Sequence, residues 1–307
     1  MGKIYNSVVE LIGNTPLVRL GKLTTRLRIN AEILAKCEMY NPLFSVKDRA
    51  ALSMIEKKEA EGVSKDTVFV EATSGNTGIG LAGVCAVKGY KLIIVMPENM
   101  SEERIKLVRH LGAEVILTPA EEGMVGAINK VKILQERNDN VVVLNQFANE
   151  ANPNAHRMGT AMEIISDTGG DFDVLVAGVG TSGTIIGLSS VLKTYNKDLY
   201  VVAVEPEGSA VLSGGEKGIH SIQGIGAGFV PALYDEKLVD EVFKVADLDA
   251  IEMAKLVAKT EGLLVGVSSG AAIVAAIEVA KRKEFANKRI VVMLPDSIER
   301  YLSTGCF

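Results

Sequence analysis

The chain has 307 residues, enough for about two domains at ~150 residues each. Apolar residues make up 48% and charged residues 23%, a balance that excludes a disordered chain. With 33 Lys and Arg against 38 Asp and Glu, the net charge is -5, so there is no basic field to hold nucleic acid or an anionic membrane, and small-molecule chemistry is the default.

Short apolar runs alternate with longer segments of helical period, the sequence form of parallel sheets covered by helices. In chain order the predicted strands are 31–36, 67–73, 91–97, 114–119, 141–145, 173–180, 200–206 and 289–296. The predicted helices are 45–61, 77–88, 101–111, 155–166, 182–195, 248–259 and 269–281. The fold class is therefore α/β, and ligands are expected at the loops leaving the carboxyl ends of the strands. The polar stretch QFANEANPNAHRMG at 146–159 follows four strand–helix units and suggests a domain boundary near residue 150.

Cys37, Cys85 and Cys306 are scattered and odd in number, which argues against a disulfide framework and a zinc cluster. The first residues lack a basic region followed by a long apolar one, and Asn6 stands where a myristoylation signal at Gly2 needs Ser or Thr. A soluble cytoplasmic protein is expected.

Two strand-to-helix turns are rich in glycine. EATSGNTGIGLAG runs through Thr73, Ser74, Gly75, Asn76, Thr77 and Gly78; free N–H groups and hydroxyls at a positive helix end suit a carboxylate or phosphate, although an ordinary capped turn has the same composition. VAGVGTSGTIIG places Gly178, Gly180 and Gly183 in a GxGxxG pattern, a phosphate cradle in the right context. Glu205 ends the following strand, so a nicotinamide site, and with it a dehydrogenase, is a competing reading. Against that reading, Thr181 and Thr184 supply hydroxyls suited to a terminal phosphate monoester.

In NPLFSVKDRAA, Ser45 and Asp48 have the spacing of a helix cap and its reciprocal carboxylate. Lys47 then falls in the first helical turn, where the dipole disfavours an ammonium and favours a nucleophilic amine. Asp48 and Arg49 read equally well as surface charges, and His110 and His156 as solvated. No HExxH, GxSxG or Walker loop is present, and the aromatic content is only 5% with no Trp.

In this order NPLFSVKDR, TSGNTGIGLA, GVGTSGT and GVSSGAA resemble the β-family, or fold type II, of pyridoxal-phosphate enzymes, and within it the cysteine synthases (O-acetylserine sulfhydrylases). LIGNTPLVRL, NQFANEANPNAH, QGIGAGFVP and DSIERYLST extend the likeness over essentially the whole chain.

The resemblance implies a two-domain tryptophan synthase β-like fold with pyridoxal 5'-phosphate between the domains. A smaller mobile domain (41–150) would carry the substrate-carboxylate loop, and a larger one (1–40 plus 151–307) would bind the cofactor phosphate. Lys47 would hold the cofactor as a Schiff base and move the α-proton. Asn76 would contact the ring hydroxyl, Gly180, Thr181, Ser182, Gly183 and Thr184 the phosphate, and Ser268 the pyridine nitrogen, with Gly224 beside the cofactor. Thr73, Ser74, Asn76, Thr77 and Gln146 would bind the substrate carboxylate, and no metal is implied. The implied reaction takes O-acetyl-L-serine and sulfide to L-cysteine and acetate through an aminoacrylate. A cystathionine β-synthase using O-acetylserine, or a cysteine desulfhydrase, would share its first half. A non-catalytic homologue that only binds a partner would keep the cleft.

A homodimer and docking of the carboxyl tail of serine acetyltransferase also follow from the likeness. Ser182, Ile298, Leu43 and Phe44 depart from the commonest family pattern, and Asp235 lies where the mouth of the cleft is expected, as a water-activating group or a solvated acid.

Overall fold

A computed structural model describes residues 4–305, so Gly2 and Cys306 lie outside the described residues. By internal packing the chain divides into two compact units. One comprises Asn41–Asn152 and the described residues up to Ile12; the other comprises Gly13–Tyr40 and Pro153 onward. The chain thus changes unit at Asn152, two residues past the expected boundary, and the residues before Gly13 go with the unit of 41–152.

The elements run in chain order as β1 (Leu17–Arg19), α1 (Gly21–Leu27), β2 (Glu32–Cys37), α2 (Lys47–Ala60), β3 (Val68–Ala72) and α3 (Asn76–Lys88). Next come β4 (Lys91–Pro97), α4 (Glu102–His110), β5 (Glu114–Thr118), α5 (Gly123–Arg137) and β6 (Val141–Val143). After them lie α6 (Ala151–Ala155), a π-helical turn (His156–Thr160), α7 (Ala161–Thr168), β7 (Val174–Gly178), α8 (Gly183–Tyr195) and β8 (Tyr200–Pro206). The last are β9 (Glu241–Val245), α9 (Asp247–Glu261), α10 (Val267–Ala280) and β10 (Arg289–Leu294).

In the first unit the strands form a parallel sheet in the order β5-β4-β3-β6. Strand alternation sends Phe69 to one face, into a core with Met54, Ile55, Leu81 and Ile94, and Val70 to the other, against Ala127 and Val131 of α5. The order reverses between β3 and β6, so the loops after these two strands flank a topological switch point, the position where open α/β sheets bind ligands.

The second unit carries six strands in the order β1-β2-β10-β7-β8-β9, all parallel except β1 against β2. Its sheet is apolar on both faces, with Val202, Val292 and Ile273 in one core and Leu175, Val291 and Leu188 in the other. Here the switch point lies between β7 and β10.

The predicted α/β class therefore holds, and eight of the strands fall on the expected runs. Four elements differ from expectation, because β1, α1, α5 and β9 carried no recognised signal. The helix expected at 155–166 begins at Ala151 and passes through a π turn beside Gly187, where a Cβ would meet the Pro153 carbonyl. Among the described residues no helix is long and apolar enough to cross a membrane, and no group of His, Cys, Asp and Glu could hold a metal ion.

Candidate active site

In the first unit, Lys47 opens α2 and is half-buried. The expected reciprocal cap takes a different form. Ser45 Oγ accepts from Lys47 N–H at 3.3 Å and donates to Asp48 Oδ1 at 3.4 Å, while the other Asp48 oxygen accepts from Leu43 N–H at 2.7 Å. Asp48 and Arg49 are not surface charges: they are 0% and 5% exposed. Helix α3 crosses α2 closely enough that a Cβ at Gly80 would stand 3.1 Å from the Lys47 carbonyl oxygen. Leu43 leans into the space above Gly83 of α3, and Phe44 takes a positive φ of 64° with its ring exposed.

The turn after β3 is built on Thr73, whose hydroxyl accepts from Gly75 N–H at 3.2 Å. From there α3 starts at Asn76, with its first-turn N–H groups directed out of the helix end. Arg104 of α4 donates to the Ser74 carbonyl at 3.2 Å and is itself 9% exposed. Thr77 Oγ1 donates to Gln146 Oε1 at 2.6 Å, joining the turn after β3 to the one after β6. The structure thus brings Thr73, Ser74, Asn76, Thr77 and Gln146 to one switch point, with the start of α2 crossing beside them.

Two groups that support this region carry no sequence signal for it. Glu71 of β3 is 3% exposed, and its carboxylate accepts from Asn145 N–H at 2.7 Å and Gln146 N–H at 3.1 Å. Burial pushes its carboxyl up to about 7, against the opposing pull of these amides and of the Gln146 side chain. Arg104 is the other.

In the second unit, the turn from Gly180 to Thr184 links β7 to α8. Gly226 N–H donates to the Val179 carbonyl at 2.9 Å, which lays the strip Gly224–Gly226 alongside the turn. A Cβ at Gly180 would run into the carbonyl oxygen of Gly224. Ser182 has a φ of 64°, in the left-handed region that favours glycine, and its hydroxyl donates to the Thr181 carbonyl at 2.6 Å. Ser268 lies in the first turn of α10 and is 2% exposed, and that helix start is held by Gly266 N–H donating to the Asp296 carbonyl at 3.0 Å.

His156 is not solvated. It is 1% exposed, with Nδ1 3.0 Å from Thr160 Oγ1 and Nε2 3.2 Å from Thr184 Oγ1. His110 does lie exposed on α4. Asp235 is exposed and accepts from Lys237 N–H at 3.0 Å as the cap of a short 3-10 turn. Glu205, the residue a nicotinamide site would need for a ribose, is 1% exposed and accepts from Leu212 N–H at 2.8 Å and Ser213 N–H at 3.0 Å.

These features fit pyridoxal phosphate on the structure's own terms. A cradle that only glycine permits at Gly180 faces the N-terminus of a 13-residue helix and suits a phosphate monoester. In the same unit the buried hydroxyl of Ser268 supplies a further donor of the kind such a group needs.

The chain belongs to the family of pyridoxal-phosphate-dependent enzymes, whose model matches residues 8–296. It is an enzyme, a transferase that works with this cofactor. Cysteine synthase B of Campylobacter jejuni is 48% identical over 306 residues, covering 99% of both chains. The crystal structure of cysteine synthase from Entamoeba histolytica superposes with a TM-score of 0.97 at 45% identity, covering 99% of this chain and 91% of that one. A hydrogen sulfide-producing enzyme from Fusobacterium nucleatum superposes with a TM-score of 0.94 at 46% identity, covering 98% and 99%.

Proposed function

We propose that the protein is a cysteine synthase, replacing the β-acetoxy group of O-acetyl-L-serine with sulfide to give L-cysteine and acetate. The reading rests on the full-length likeness to cysteine synthases together with one observation, the assembly of Thr73–Thr77 and Gln146 at the switch point next to the start of α2. When bound, pyridoxal phosphate supplies an electron sink for the α-carbon of an amino acid. Lys47 is the residue that anchors it covalently, and its Nζ afterwards takes the α-proton. Thr73, Ser74, Asn76, Thr77 and Gln146 hold the substrate carboxylate through N–H groups and polar side chains, which fixes the α-carbon against Lys47. Asn76 would also contact the ring hydroxyl of the bound cofactor.

Gly180, Thr181, Ser182, Gly183 and Thr184 hold the phosphate, with Gly224 packed beside them. Ser182 contributes backbone N–H there, since its hydroxyl is turned to Thr181. Ser268 would offer its hydroxyl to the pyridine nitrogen of the bound cofactor. A hydroxyl is too weak an acid to keep that nitrogen protonated, which favours expulsion of acetate over long-lived carbanion chemistry. Sulfide then adds at the β-carbon, and Lys47 returns the proton to the α-carbon.

A second reading shares the first half of this cycle but releases sulfide from cysteine; the likeness to the Fusobacterium enzyme favours it. A homodimer and docking of the tail of serine acetyltransferase are inferred from the same family likeness, and a cytoplasmic location from the scattered cysteines.

The test is spectral and covalent. Borohydride reduction of the yellow protein should leave a mass adduct on Lys47, and Lys47→Ala should abolish turnover. O-acetylserine should bleach the resting absorbance, and sulfide should restore it faster than homocysteine or water. Retained turnover in Lys47→Ala counts against the assignment of the lysine. Restoration by homocysteine alone counts against the choice of sulfide.

A further inference from the structure

Strand β3 places a carboxylic acid where a strand core has room only for apolar groups. Phe69 and Glu71 alternate onto the same face of β3, above which Leu144 and Ala151 pack with α2 and α3. A carboxylate is costly there unless its oxygens are occupied. They are, and by one segment: both amides at the end of β6 donate to it, and so does the side-chain amide of Gln146. Asn145, whose amide makes the shorter of the two backbone bonds, has a φ of 53°. Outside glycine such a conformation persists only when its surroundings hold it. The segment is also fixed by the Asn149 side-chain amide on the Leu144 carbonyl at 2.8 Å and the Asn152 amide on the Gln146 carbonyl at 2.9 Å, among other bonds.

The Gln146 amide therefore has a defined direction. Its nitrogen is drawn to Glu71, and its oxygen accepts the Thr77 hydroxyl. We propose that Glu71 is a positioning residue of the substrate-carboxylate pocket: ionised, it holds Asn145 and the orientation of Gln146 and Thr77, and taking up one proton there loosens all three and weakens carboxylate binding. The proposal rests on reading Thr73–Thr77 and Gln146 as that pocket.

The proton required is available near neutral pH, because burial pushes the Glu71 carboxyl up to about 7. Ionisable groups on the elements packed around it are Lys47, Asp48 and Arg49 at the start of α2, Glu56–Glu59 near its end, Lys88 closing α3 and Lys91 opening β4. Arg104 on α4 is committed to the Ser74 carbonyl, and Glu150 lies on the 145–152 segment. None of these acts on Glu71, whose partners are all neutral amides. Uptake of a proton is thus a local event with one route outward, through the chain at 145–146.

The experiment uses the holoenzyme, its Glu71→Gln variant and acetate as a carboxylate probe that carries no titrating amine. Amide resonances of Asn145 and Gln146 should move together between pH 5.5 and 8.5 in the native protein and stay fixed in Glu71→Gln. Acetate should bind roughly tenfold more tightly at pH 8 than at pH 6, and the variant should lose this dependence, binding acetate at both pH values about as weakly as the native protein does at pH 6. Should the variant fail to fold, the native titration alone decides. Fixed amides, or acetate affinity equal at both pH values, overturns the proposal and leaves the pocket reading standing. Acetate that fails to bind at any pH, with the amides still titrating, overturns the pocket reading and the proposal with it.

Discussion

His156 Nε2 stands 3.2 Å from the hydroxyl of Thr184, so a buried imidazole supports the turn assigned to the phosphate. Its other nitrogen is taken up by Thr160 at 3.0 Å. His156→Ala leaves the buried hydroxyl of Thr160 and the half-buried one of Thr184 without this partner and opens a cavity. Together these should cost about 2–4 kcal/mol of stability. Urea unfolding of the apoprotein would measure that loss, and equilibrium dialysis should show weaker retention of the cofactor. Undiminished retention would separate His156 from the phosphate site.

Ser182 stands in the left-handed region at φ 64°, a conformation that costs a non-glycine residue about 1–2 kcal/mol. Glycine removes that cost and gives back part of it as added freedom of the unfolded chain. Ser182→Gly should therefore stabilise the protein by about 0.5–1 kcal/mol. Chemical denaturation would show a later midpoint, with cofactor affinity within about threefold of the native value.

Glu71 gives a pH dependence of stability opposite in sign to that of a salt-bridged carboxylate. Its folded-state value, about 7, lies above the ordinary 4.5, so between these values the native state binds more protons than the unfolded chain. The contribution is full below about pH 4.5 and is lost as the pH rises through 7. Relative to Glu71→Gln, the native protein should lose stability across this window by no more than about 3 kcal/mol. Paired denaturation curves at pH 5 and pH 8 would measure the difference.

Cys37 and Cys85 are free, buried thiols, each pushed up to about 12 by burial, with Glu38 and Glu59 respectively adding to the rise. Iodoacetamide at pH 8 should leave both unmodified in the folded protein and alkylate both in urea. Peptide mapping would check this. Rapid labelling of either in the native state would contradict their burial.

The repeating strand–helix order was legible because eight strands are short, densely apolar and covered on at least one face. Strand β1 has only three residues, and β9 is an edge strand whose Lys244 is exposed, so neither shows such a run. Helix α5 has glycines at 123 and 126, which lower its propensity and hide its period. The glycine turns and the lysine at a helix start could be read from residue type and spacing. The ionisable side chains behind them could not, since Glu71, Asp48, Arg49 and His156 are of types normally found in water. What makes them buried is a set of backbone donors and hydroxyls that only the fold brings near.

Glu205 carries a consequence for reading such chains. A glycine fingerprint followed by an acid at the end of the next strand would file this protein with the nicotinamide binders. Its carboxylate instead fastens the loop at Leu212 and Ser213 and is buried beneath it. Two lineages of nucleotide-like recognition can thus share one string of letters, and the fate of a single acidic side chain tells them apart.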